Sequence, residues 1–278
     1  MTREIDTGSD DLLARLEGNV GIITFNRPDR RNALSNGIYA GFAKVLPEMA
    51  SDPEVRVVMV TGNGGAFCAG GDVKEMNESH RNDTPREGRS RGVEDEVTYL
   101  RQSQNAVSLA IHRLPKPVVA AIPGAAAGAG LSIALAADIR LAAERAIFVT
   151  AFTGIGASGD FGGSWFLTHL VGTAKAKELY WLSPRLSAAD ALDLGMVNHV
   201  LPDTGFDEAA LAWCHELARR APIAQRLSKE NLNRALTCDL ATALDAEAAN
   251  MIRSMTTKDH IEAALAFVEK RPATFRGE

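Results

Sequence analysis

The sequence is poor in most features that would place it outside an ordinary aqueous compartment. It has only three cysteines in 278 residues, Cys68, Cys214 and Cys238. An odd number at wide spacing suggests free thiols in a reducing compartment rather than a disulfide framework. No apolar run approaches the ~20 residues that a membrane helix needs, and the opening MTREIDTGSDD is too polar for a signal peptide. A cytoplasmic setting without membrane contact is expected, and sequons at Asn77 and Asn82 carry no meaning without secretion. Excess positive charge is missing too. Thirty basic side chains against 35 acidic ones leave a formal net charge of −5, which argues against a nucleic-acid partner. Any polyanionic ligand must therefore meet a local basic patch. The six histidines show no metal-ligand spacing, so no metal site is expected. No G-x-S-x-G elbow surrounds Ser132 or Ser164, which disfavours a serine hydrolase.

One motif is present in letters only. Gly154-Ile155-Gly156-Ala157-Ser158-Gly159 fits G-x-G-x-x-G. A dinucleotide site would need it inside a parallel βαβ unit, with an acid about 20 residues on at a strand end. Glu178 stands near that spacing but falls within helical pattern, so no nicotinamide or flavin cofactor is expected.

What the sequence does have is glycine-rich loops that follow strands. With 46% apolar residues it can bury the core of one large domain, or of a domain plus an appendage. The central stretch PVVAAIPGAAAGAGLSIALAAD, Pro117 to Asp138, opens with an apolar strand, breaks at Pro123-Gly124, and passes through Gly128-Ala129-Gly130 into a helix too apolar to be anything but buried. Such a turn leaves unpaired N–H groups at a helix start, suited to an anion or to a carbonyl oxygen gaining charge. Glycines that merely let a helix pack tightly on a sheet would look the same.

Around this stretch, residues 1–10 read as a frayed tail, and Leu12 to Phe25 as a hairpin turning at Glu17-Gly18-Asn19. Apolar residues at helical spacing run from Ser35 to Ala50, and Val55 to Thr61 is a strand covered on both faces. A second glycine loop, Gly62 to Met76, places Asp72 to cap a following helix. Residues 77–96 read as a polar, exposed excursion before a helix over Val97–Leu114. After Asp138 a strand pair is expected, Ile139–Ala142 with Ala146–Thr150, then a third glycine loop and one helix over Leu167–Trp181. A short helix at Ala188–Leu194 and a final strand at Met196–Leu201 follow, and from Phe206 the pattern is helical only. The whole predicts an α/β architecture with a C-terminal helical appendage.

Five segments in order, FNRPDRRNAL, AFCAGGDVKEM, PGAAAGAGLSIALAAD, GDFGGSWFLTHLVG and FVEKRPATF, together resemble the crotonase superfamily of enoyl-CoA hydratases and isomerases over about residues 12–275. The resemblance implies a spiral of repeated ββα units over residues 11–204, and over 205–278 a C-terminal α-helical region that makes trimers, often paired as hexamers. It implies an acyl-CoA substrate, coenzyme A entering only as part of that substrate, and no separate cofactor. It makes the N–H groups of Gly71 and Ala129 the donors that stabilise a thioester enolate oxygen, each such donor being worth about 2.7–4 kcal/mol. By the same resemblance coenzyme A lies along Arg27, Arg31, Ala33, Ala66, Gly70, Asp72, Val73 and Lys74, with Arg30 nearby. Lys270 and Arg271 would serve the site of an adjacent subunit. The alternatives remain a plain helix-entry turn at Gly71 and ordinary solvated charge at each basic residue.

The departures from the family's pattern bear on the reaction. Its well-known hydratases carry two glutamates, and the matching positions here are Ser132 and Phe152. A serine without a partner is no general base near neutral pH, which puts two-carboxylate hydration in doubt. One acid remains in the third loop, Asp160, and the loop around it resembles the single-carboxylate isomerase branch. Beside Phe152, Phe161 and Trp165, desolvation should raise its pKa and make it a competent base. An N-cap for the next helix is the structural alternative. The expected activity is enoyl-CoA isomerase-type proton transfer with Asp160 as base. Hydration with Asp160 positioning water, thioester or C–C bond hydrolysis, and acyl-CoA binding without catalysis are the rivals.

Overall fold

The computed structural model describes residues 2–72 and 92–278. Its centre is a seven-stranded sheet in the order β1-β2-β3-β4-β5-β7-β10. The strands are β1 (Thr2–Ile5), β2 (Leu12–Glu17), β3 (Val20–Phe25), β4 (Val57–Gly62), β5 (Val118–Ile122), β7 (Ile139–Ala143) and β10 (His199–Leu201). From β3 to β10 every pairing is parallel, while β1, β2 and β3 pair antiparallel. A second, three-stranded sheet joins β6 (Ala126–Ala127), β8 (Ile147–Val149) and β9 (Leu186–Ser187).

Period-two alternation explains why the main sheet is covered on both faces. In β3, Ile23 and Phe25 join one apolar cluster while Val20 and Ile22 join another; in β5, Val118, Ala120 and Ile122 face the first, Val119 and Ala121 the second. The first face packs on helix α1 (Asn36–Ser51), through Ile38, Phe42, Val45, Leu46 and Met49, and on α3 (Ala129–Ala136), where every residue is buried. The second face is covered by a C-terminal helix, Phe206–Ala218, which presents Phe206, Ala210, Cys214 and Ala218 at turn spacing. Three further helices follow it, Pro222–Ala235, Leu240–Met255 and Lys258–Glu269. Among the described residues no helix is long and apolar enough to cross a membrane.

Most expected elements stand where the pattern puts them, and the differences have local causes. The N-terminal residues are not frayed: β1 adds to the sheet edge, with Ile5 buried and Arg3 paired to Asp52. Helix α2 begins at Val93, four residues before Val97, because Glu94, Asp95 and Glu96 favour a helix start. It continues through a π turn at Asn105–Leu109 into a last turn at Ala110–Arg113. Strands β7 and β8 do not pair with each other. The turn at Ala143–Ala146 sends β8 into the small sheet, parallel to β6. The single helix expected over Leu167–Trp181 is two, α4 (Gly163–Val171) and α5 (Thr173–Leu182), broken where Gly172 takes φ 78° and ψ 162°.

Three loops at the carboxyl ends of the parallel strands are layered by backbone hydrogen bonds. Ala69 donates to Arg31 (3.0 Å), Leu34 to Gly70 (2.8 Å), Phe67 to Ala125 (3.0 Å) and Ala127 to Cys68 (3.0 Å). Asn32 ties two of them. It is fully buried in the left-handed region (φ 59°), and its Nδ2 donates to the Asn63 and Ala66 carbonyls while its Oδ1 accepts from the Arg27 N–H. Asn32→Ala leaves three backbone groups without that partner, and should lower the unfolding free energy by about 2–4 kcal/mol. Urea denaturation checks this, and a loss within experimental error would remove Asn32 from the scaffold of the site.

Candidate active site

The second and third loops meet at Gly70, which takes φ 82°. A Cβ there would sit 2.7 Å from the Ala127 carbonyl and 3.1 Å from the Ala129 nitrogen, so only glycine lets the two strands of backbone come this close. Gly128, at φ 53° and ψ −127°, then turns the chain into α3, so that Ala129 is its first residue. As the first residue of a helix, Ala129 has no intrahelical acceptor for its N–H. Among the described residues neither the Gly71 N–H nor the Ala129 N–H has a hydrogen-bond acceptor. Two free amide donors thus lie on adjoining loops at the start of a buried helix.

The floor beyond them is apolar. Phe152 is buried, and its ring comes within 3.8 Å of where a Cβ on Gly128 would stand. It stacks on Tyr180 at 5.8 Å between ring centroids and 18° between planes. Phe161 is buried and stacks on Tyr39 at 5.7 Å. Trp165, expected in the same wall, packs instead on His112, Phe166 and His169. A cavity of about 730 Å³ opens there, lined by Gln104, His112, Phe161, Trp165 and Arg234; Gly70, Gly71, Ala129 and Asp160 do not line it.

Asp160 is held in this apolar setting. It does not cap α4. The N-cap residue is Gly162, no side chain caps the helix, and Asp160 contributes only its backbone carbonyl, to the Gly163 N–H at 3.1 Å. Its Oδ1 is buried with no hydrogen-bond partner among the described residues. Loss of hydration pushes its pKa up from 3.8 to about 6. The next residue fixes the loop: Phe161 adopts φ 51°, and its N–H donates to Gln104 Oε1 at 2.9 Å. Ser132 is buried in α3 and points its hydroxyl back to the Gly128 carbonyl at 3.3 Å, a helix residue's usual bond.

The basic residues divide. Arg27 is largely engaged by the protein, donating to the Ala33 carbonyl at 2.7 Å and lying 3.7 Å from both Asp11 and Asp72. Asp72 faces Arg27 and Arg30, the latter at 3.9 Å, and the segment it was expected to cap lies outside the described residues. Arg31 is exposed, with no side-chain partner among the described residues. Ala33 and Ala66 are buried residues of the same loops. Val73 and Lys74 lie outside the described residues, as does the excursion up to residue 91. Lys270 ends the last helix at φ 55°, and Arg271 is paired with Glu262 and Glu269. Among the described residues no cluster of histidine, cysteine, aspartate or glutamate could hold a metal ion.

Over residues 15–278 the chain matches the sequence profile of the family described as enoyl-CoA hydratase/isomerase. The chain belongs to this family. A short-chain-enoyl-CoA hydratase of Clostridium acetobutylicum is 35% identical over 263 residues, covering 94% of this chain and 96% of that protein. A 1,2-epoxyphenylacetyl-CoA isomerase of Escherichia coli is 34% identical over 267 residues, covering 96% and 98%. Among solved structures, an enoyl-CoA hydratase from Polaromonas sp. JS666 superposes with a TM-score of 0.87 at 35% identity, covering 95% of this chain and 99% of that one. The α/β fold with its C-terminal helices is thus that of the crotonase superfamily, whose members in this family are enzymes.

Beside the residues singled out from the sequence stand two that it did not single out, Gln104 and Tyr180. Gln104 shows no sequence signal, since its role depends on a contact 57 positions away. Tyr180 could have been suspected as the one polar aromatic in KELYWL, which faces inward while Trp181 is exposed.

The raised pKa of Asp160 has a stability consequence of definite sign. The folded chain keeps the proton up to about pH 6 and the unfolded chain only to about 3.8, so stability falls as pH rises through that window. Asp160→Asn, which cannot ionise, should be more stable than the parent at pH 8, by about 1–3 kcal/mol. The two should converge below about pH 3.5, where both carry a neutral side chain. Denaturation series at the two pH values check it. A gap that persists unchanged at low pH would place the effect elsewhere than in the carboxylate's charge.

Proposed function

We propose that the chain is an acyl-CoA enzyme that moves a proton along the acyl chain, an enoyl-CoA isomerase-type reaction with Asp160 as base. The observations that carry this reading are a buried carboxylate, unpartnered at Oδ1 among the described residues and with its pKa raised to about 6, and two adjoining loops whose Gly71 and Ala129 amides have no acceptor among the described residues. The thioester carbonyl rests on the Gly71 and Ala129 N–H groups. Asp160 breaks a C–H bond and takes the proton; the electron pair moves through the conjugated chain to the thioester oxygen, where the two donors stabilise it. The same proton returns from Asp160 to a carbon two positions away, and the double bond has shifted. Phe152 and Phe161 keep water scarce, so the proton is retained rather than exchanged.

Coenzyme A, as part of the substrate, lies along Ala33, Ala66, Gly70 and Asp72, with Val73 and Lys74 in the same run. Its phosphates meet Arg31 before Arg27, because Arg27 already faces two carboxylates. The assembly is a homotrimer or a pair of trimers in the cytoplasm. Supporting it, the last two helices leave Ile252 63%, Phe267 85% and Val268 78% exposed, a face suited to further copies of this chain. Lys270 then serves the neighbouring site.

Δ3-enoyl-CoA incubated in deuterated water should give the Δ2 isomer with less than one deuterium per turnover at the chain carbons, because the transferred proton is largely retained, and with no net hydration. A 3-hydroxyacyl-CoA product would move the reading to the hydratase, as several relatives are named. Asp160→Asn should slow turnover at least about hundredfold. Unchanged turnover would leave Asp160 with no part in the chemistry.

A further inference from the structure

Asp160 has no hydrogen bond of its own to aim it. Its Oδ1 is buried without a partner among the described residues, and burial acts on its pKa with no hydrogen bond to oppose it. A side chain without polar contacts points where its backbone and its packing send it. That backbone is held in an unusual shape. Gly159, Phe161 and Gly162 take φ 104°, 51° and 76°, so left-handed residues stand on both sides of the acid. The peptide unit that joins Asp160 to Phe161 is bonded at both ends. Its carbonyl accepts from the Gly163 N–H at 3.1 Å, a bond within the loop. Its N–H donates to Gln104 Oε1 at 2.9 Å, from a helix 57 positions away. Gln104 is the last regular residue of α2, directly before the π turn at Asn105–Leu109.

Phe161 is buried, so its N–H has no water to turn to if Gln104 is lost. Rotating the peptide unit would take Phe161 out of the left-handed region, which a residue with a Cβ disfavours, and would swing Asp160 with it. A buried carboxylate set free in this way turns toward water. We propose that Gln104 is a positioning residue for Asp160: by holding the Phe161 N–H it fixes the peptide unit between them, and so keeps the carboxylate aimed at the acyl chain. This rests on Asp160 being the base of the proposed reaction.

The test compares the parent with three variants. Gln104→Met keeps the length and loses the acceptor, Gln104→Asn draws the acceptor back by one methylene, and Gln104→Glu keeps it. Gln104 lines the cavity beside Phe161, so a carboxylate in its place has water at hand. With Δ3-enoyl-CoA, Gln104→Met and Gln104→Asn should lower kcat about tenfold to hundredfold and change KM less than about twofold, as misplacement of a reacting group does. Gln104→Glu should stay within about threefold of the parent. A second readout needs no turnover. The stability that Asp160→Asn adds at pH 8 should shrink by about half or more in the Gln104→Met background, where the carboxylate is no longer held dry. Equal gains in the two backgrounds, full turnover in Gln104→Met and Gln104→Asn, a rise in KM alone, or a Gln104→Glu as slow as Gln104→Met each overturn the inference. Failure of both Gln104→Met and Gln104→Asn to fold overturns it as well, since Gln104 would then hold the fold and not the acid. A parent without isomerase turnover, or an Asp160→Asn as fast as the parent, overturns the proposed reaction first and this inference with it.

Discussion

The contact on which the rest depends is backbone against backbone, at Gly70 and the Ala127–Ala129 turn. No side chain fits between them, and the hydrogen bond from Ala127 to Cys68 closes the layer at 3.0 Å. What this close approach secures is direction. The N–H of Ala129 lies at a helix start, where it has no acceptor within α3, and the loop carrying Gly71 is pressed beside it. Backbone donors held by a sheet, a buried helix and two interloop ladders do not reorganise when charge develops in front of them. That is the property electrostatic stabilisation of an enolate needs. Asn32 extends the same logic outward, since its one side chain ties the arginine turn to the second loop through three hydrogen bonds.

The surroundings then set what the amides can be used for. A second carboxylate, or a polar side chain in place of Phe152, would hydrate the reacting carbons. Here the wall is aromatic, and the one acid is left without a partner for Oδ1. The loop that carries it is unusual: Gly159 and Gly162 at φ 104° and 76° flank Asp160 and Phe161, and Phe161 itself is left-handed. A residue with a Cβ takes that conformation at some cost, offset by the Gln104 hydrogen bond and by the Tyr39 stack. Strain is thus concentrated next to the acid whose ionisation burial opposes.

How much of this was legible in the sequence follows from which interactions are local. Strand β5 and the entry to α3 could be placed from Val118–Ile122, the Pro123 break and the glycines, because each signal acts on its own neighbours. The hairpin at Gly18 and the helix that begins after Ser35 were readable for the same reason. The errors fall where partners are distant. Ile139–Ala142 and Ala146–Thr150 read as a pair because they are adjacent, yet sheet membership is decided by β10 and β6, whose positions no local pattern encodes. The N-terminal strand was invisible because its sequence is polar, and its stability comes from the exposed edge of β2. In the site, glycines and a lone aspartate among aromatics announced themselves. Tyr180 and Gln104 did not, because a tyrosine or glutamine in a helix has the same appearance whether it faces solvent or a loop far along the chain.

That asymmetry bears on how the reaction is tuned. In the proposed function the oxyanion donors come from backbone, so their sequence trace is a requirement for small residues, and many different reactions can share it. Around the start of α3 stand side chains from helices and loops, Ser132, Phe152, Asp160 and Tyr180. Their effect depends on mutual burial. Asp160 is raised to about 6 because Phe152 and Phe161 exclude water, and Tyr180 remains a donor because the same enclosure resists its ionisation. Exchanging any one of them changes the hydration of the others, so the chemistry belongs to the cluster and not to the carboxylate alone. A fold that fixes its amides in the scaffold and leaves their surroundings to a few side chains can change reaction without changing architecture. The hydratase and isomerase names carried by relatives of similar identity fit that division.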